Sequence, residues 1–80
     1  MTKAQILEEL ALLGDKITVF ESDDGEHITV FCEEDLDKCD RIAIYTIYNK
    51  LLAEADSVIQ DTYMADYFRF GDLTLELYIE

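Results

Sequence analysis

Apolar and polar residues alternate with two different periods along this chain. Near the start, Ile6, Leu7, Leu10 and Leu13 recur at helical spacing. Thr2 and Gln5 form a T-x-x-Q capping box in front of them, and Gly14 is a natural stop. A short helix is expected over about residues 2–13. The period then changes to two. Residues 16–21 (KITVFE) and 26–32 (EHITVFC) alternate as strands, separated by Ser22-Asp23-Asp24-Gly25, whose Asp-Gly pair is a strong hairpin signal. Ile17, Val19, Ile28, Val30 and Cys32 share one face, which reads as core. Lys16, Thr18, Phe20, His27, Thr29 and Phe31 share the other, so its two phenylalanines are either covered by a helix or exposed.

Residues 34–55 read as the main helix, with acids at its start and good helix formers from Lys50 to Ala55. Residues 42–48 (IAIYTIY) are β-branched and aromatic enough to form a strand. Helix is preferred because nothing between Asp37 and Asp56 signals a turn. Residues 57–62 read as a helix extension or a loop. A second hairpin follows, with strands 63–70 (YMADYFRF) and 73–79 (LTLELYI) around Gly71-Asp72. It places Met64, Phe68, Phe70, Leu73, Leu75, Leu77 and Ile79 on one face, and Tyr63, Tyr67, Arg69, Thr74, Glu76 and Tyr78 on the other. The expected fold is α+β in the order α-β-β-α-β-β. Two hairpins form a four-stranded, mainly antiparallel sheet, with a short N-terminal helix and a long central one.

Eighty residues, half of them hydrophobic, with three glycines and no proline, fit a single domain over 1–80 with few loops. No linker or repeat divides it. The N-terminal apolar residues are interrupted by Glu8 and Glu9, so no signal peptide is read, and no apolar run approaches the ~20 residues of a membrane helix. Cys32 and Cys39 are spaced C-x6-C, matching neither a redox nor a zinc motif, and read as two buried free thiols. A cytoplasmic protein is expected.

Catalytic and ligand motifs are missing. The lone histidine, His27, reads as a surface residue at a strand end. Asp35-x-Asp37-x-x-Asp40 and Asp23-Asp24-Gly25 fail the calcium-loop spacing. There is no glycine-rich phosphate loop, and Ala55-Asp56-Ser57-Val58 is only faintly similar to the serine motif of acyl carrier proteins. The expectation is therefore a protein without catalytic residues, metal or cofactor.

Charge changes the picture most. Nineteen Asp and Glu face six Lys and Arg, for a net −13. Solubility of a small domain needs only about 2–8 charges, and the excess destabilises the compact state by self-repulsion. Nucleic acid and anionic membrane are the wrong sign as direct ligands; a basic protein surface is the right one. Residues 21–40 hold nine of the acids: Glu21, Asp23, Asp24, Glu26, Glu33, Glu34, Asp35, Asp37 and Asp40. They form two groups joined by strand 27–32, roughly 20 Å at ~3.3 Å per residue, about the width of a duplex. These nine are the candidate partner-binding residues. A monomer is favoured over a homodimer.

In size, charge and mixing of aromatics with acids, the whole chain resembles the small acidic inhibitors encoded by phages. Among these are anti-CRISPR proteins, anti-restriction DNA mimics and the uracil-DNA glycosylase inhibitor. This is a resemblance of class and brings no residue roles with it. It implies a stoichiometric inhibitor that occupies the nucleic-acid-binding surface of a CRISPR effector or host nuclease by charge mimicry. An immunity protein or antitoxin that neutralises a basic toxin is the alternative with the same physics. A further alternative is an acidic protein of unrelated role. Among these, adaptation to high salt is opposed by eight isoleucines and four phenylalanines.

Overall fold

A computed structural model describes residues 1–60 and 65–78. Helix α1 spans Lys3–Ala11. The expected capping box opens it: Gln5 N–H donates to Thr2 Oγ1 at 3.2 Å and Thr2 N–H to Gln5 Oε1 at 2.9 Å. A short 3-10 turn, Gly14–Lys16, leads into β1 (Ile17–Glu21) and β2 (His27–Cys32). The hairpin between them closes at Gly25, whose φ of 70° is costly for any residue with a Cβ.

Helix α2 spans Lys38–Glu54, so residues 42–48 are helical and not a strand. The helix begins four residues later than the sequence pattern implied. Asp37 caps it, accepting from Asp40 N–H at 2.8 Å, and the acids before it lie in the connection from β2. Ala55 then turns extended. Asp56 fixes that exit with no glycine or proline: its N–H donates to Arg69 O, and its carboxylate accepts from Gly71 N–H, both at 2.7 Å.

Among the described residues the sheet has five strands, not four. Ser57–Gln60, read from sequence as helix extension or loop, is β3, pairing antiparallel with β4 (Ala65–Phe70). Four residues with only Val58 half-buried carry too little alternation to mark a strand, and the pairing with β4 decides it. β4 and β5 (Leu73–Tyr78) form the expected hairpin. The strand order is β1-β2-β5-β4-β3. The two hairpins are joined by a parallel pairing of β2 with β5, and the remaining neighbours are antiparallel. That parallel pair needs a long crossover, which α2, β3 and β4 supply.

One face of the sheet is covered and the other is open. Ile17, Ile28, Val30, Phe68, Leu75 and Leu77 join Ile6, Leu10, Ile44, Ile47 and Leu51 of the helices in one core. Tyr48 of α2 meets Phe68 edge-on at 5.6 Å. The opposite face presents Phe20, Phe31, Tyr78, Tyr67, Arg69 and Ile59, and among the described residues no helix covers it. The face assignments read from sequence hold over the described residues, but Val19, read as core, is exposed on the edge strand β1 and stays outside the core; Tyr63, Met64 and Ile79 lie outside the described residues. Among the described residues, no buried side-chain polar atom lacks a hydrogen-bond partner.

Candidate functional site

The nine acids fall at the two ends of β2, as their spacing implied. Five of them form the connection from β2 into the first turn of α2, and four belong to the β1–β2 hairpin. They are not equivalent. Glu21 pairs with Lys3 at 2.9 Å, and Asp40 with Lys16 at 3.5 Å. Asp24 shapes the hairpin, accepting from Ser22 Oγ at 2.5 Å and from Glu26 N–H at 2.9 Å. These bonds, Ser22 first, hold its carboxyl below the usual carboxylate range. Asp37 is likewise lowered, chiefly by the Asp40 N–H it caps. Four of the nine are thus engaged in local structure. The side chains of Asp23, Glu26, Glu33, Glu34 and Asp35 are exposed and make no ion pair or hydrogen bond among the described residues.

The basic side chains offset them only in small part: Lys38, exposed at the first position of α2, is the one lysine that makes no ion pair among the described residues. Lys3, Lys16 and Lys50 are taken by Glu21, Asp40 and Glu9, and Arg69 donates to Gly71 O at 3.2 Å. The N-terminal amine lies 3.9 Å from Glu54. Arg41 lines a small cavity of about 30 Å³ beside Glu33, Glu34 and Cys32. Cys32 is half-buried and desolvation pushes its thiol up, whereas Cys39 is exposed and not buried as its sequence context implied.

A second arrangement lies on the open face between these acidic ends. Glu76, at the centre of β5, accepts from Tyr67 Oη at 3.0 Å and from the Tyr78 hydroxyl on Oε1. On Oε2 it faces His27 Nε2 at 3.1 Å and Thr29 Oγ1 at 3.5 Å. A carboxylate only accepts, so His27 Nε2 carries a hydrogen here. These donors, led by the Tyr78 hydroxyl, depress the Glu76 carboxyl, and the same bond pushes the Tyr78 phenol up to about 12. Sequence reasoning placed Glu76 only on the Tyr67–Tyr78 face of the second hairpin and read His27 as a surface residue at a strand end. Their convergence depends on the parallel β2–β5 register, in which Thr29 lies beside Glu76 and His27 beside Thr74. Neither hairpin alone encodes that register, although Glu76 and Tyr78 at i and i+2 already share a face.

Above this carboxylate the aromatics form a ladder. Phe31 stacks on Tyr78 with centroids 4.7 Å apart and planes 12° from parallel, and Phe20 meets Phe31 edge-on at 5.9 Å. Among the described residues no three His, Cys, Asp or Glu side chains converge to hold a metal ion. Among the described residues no helix is long and apolar enough to cross a membrane. No family model, curated protein or solved structure matches the chain.

Proposed function

We propose that this protein acts by binding, as a stoichiometric inhibitor that occupies the basic nucleic-acid-binding surface of a target such as a nuclease or CRISPR effector. The observation that carries this reading is the pair of exposed acid groups, Asp23 with Glu26 and Glu33 with Glu34 and Asp35, held at opposite ends of the six-residue strand β2. The strand sets them roughly 20 Å apart at ~3.3 Å per residue. A nucleic-acid-binding protein places Lys and Arg to neutralise phosphates. Carboxylates at comparable separations meet the same side chains, with bidentate contacts to arginine available to each. The surplus charge also steers association, making it fast and sensitive to ionic strength.

The target is reached by capture from cell lysate on the immobilised chain at 50 mM and 500 mM salt, with and without added DNA or RNA. The expected result is a basic nucleic-acid-binding protein retained at low salt and released by added nucleic acid. Retention that nucleic acid leaves untouched would rule out mimicry.

A further inference from the structure

The acid groups account for attraction at both ends of β2 but not for what meets the sheet between them. That surface is unusual for a small soluble domain. Phe20 is 57% exposed, Phe31 43% and Ile59 65%, all on the face away from the helices. The rings are ordered, Phe20 edge-on to Phe31 and Phe31 stacked on Tyr78, so one ladder crosses β1, β2 and β5. Beyond it a groove of about 210 Å³ runs past Ser57, Ile59, Tyr67 and Arg69. The Glu76 carboxylate, fixed by Tyr67, Tyr78, His27 and Thr29, brings a negative charge directly to the foot of the ladder.

We infer that this open face receives arginine side chains of the basic partner, stacked against the Phe20–Phe31–Tyr78 ladder. The inference rests on the reading of the acidic ends given above and adds the chemistry at the centre of the contact. A guanidinium is planar, permanently charged and weakly hydrated, so it stacks on exposed ring faces while the surrounding carboxylates attract it. A lysine ammonium shares the charge but is compact and strongly hydrated, and gains less from the rings. A second copy of this chain would set −13 against −13 across the same face. Single-stranded nucleic acid would suit the aromatics by stacking, but its phosphates meet acids at both ends of β2.

The test is a titration of the intact chain, labelled with nitrogen-15, with three probes. These are a synthetic nine-residue arginine peptide, the lysine peptide of equal length, and a single-stranded DNA oligonucleotide. The arginine peptide should bind at least about threefold tighter than the lysine peptide, moving the amide signals of Phe20, Phe31 and Tyr78. Phe31→Leu should abolish that preference while leaving lysine-peptide binding unchanged. Phe20→Leu, at the exposed outer end of the ladder, should reduce it and serves if the Phe31 variant does not fold. Equal affinities, with shifts confined to Asp23–Glu26 and Glu33–Asp35, would overturn the aromatic site and leave the acidic-end reading standing. Binding of neither peptide at 50 mM salt would overturn both, and DNA shifting the ladder signals would overturn the choice of arginine.

Discussion

Glu76 shows how a residue with no signature in sequence acquires a defined role. Its carboxylate collects four donors from three strands, and each bond favours the ionised form. Because its folded pKa is depressed, its contribution to stability is present above the unfolded value near 4.5 and is lost as pH falls through and below it. Glu76→Gln should therefore lower the melting temperature at pH 7, with a loss of about 1–2 kcal/mol in denaturant unfolding. The gap from wild type should close as the pH is taken below about 4.5. A gap independent of pH would mean that Glu76 acts by packing alone. Tyr78 is the complementary case, a phenol held neutral by the same bond. Alkaline titration at 295 nm should show one tyrosine ionising near pH 12, and Tyr78→Phe should remove it.

At the level of elements, the short-range signals were legible and the long-range ones were not. Thr2 with Gln5, Asp24-Gly25, and the alternation from Phe68 to Leu77 each act within a few residues, and the sequence marks them openly. The main helix was recoverable because no turn residue interrupts 38–54. By contrast, β3 exists because Val58 pairs opposite Phe68, and β2 lies beside β5 through a crossover that includes α2. Such pairings belong to the folded chain and to neither segment separately. Where α2 ends is similarly a tertiary matter, settled by Asp56 reaching Arg69 and Gly71. Asp56→Ala should cost about 1 kcal/mol and raise amide exchange at Gly71 more than at the centre of α2. Phe68, fully buried where α2 meets β4, is the severe test of the core. Phe68→Ala should cost about 3–5 kcal/mol. That is a large share of the roughly 4–12 kcal/mol available to eighty residues, so urea unfolding should show a variant near its folding limit.

Across the whole molecule, charge is the quantity that sets this fold apart. Of the nine candidate acids, Glu21, Asp24, Asp37 and Asp40 stabilise turns, a cap and ion pairs, a division that composition alone does not reveal. The other five repel one another and their neighbours in the free protein. Screening should relieve this: the Debye length falls from about 10 Å at 0.1 M salt to about 3 Å at 1 M. The melting temperature should therefore climb steadily between 0.05 and 1 M sodium chloride. A rise confined to salt above 1 M would instead fit a protein adapted to a saline cytoplasm.

The most direct measurement is displacement of a fluorescent oligonucleotide from the captured partner. Wild type is compared with a chain carrying Asp23→Asn, Glu26→Gln, Glu33→Gln, Glu34→Gln and Asp35→Asn. Wild type should displace the oligonucleotide at one-to-one stoichiometry, less well as salt is raised, and the neutralised chain should be at least tenfold weaker with little salt dependence. Equal displacement by the two proteins would contradict the assignment of function to the acidic ends of β2.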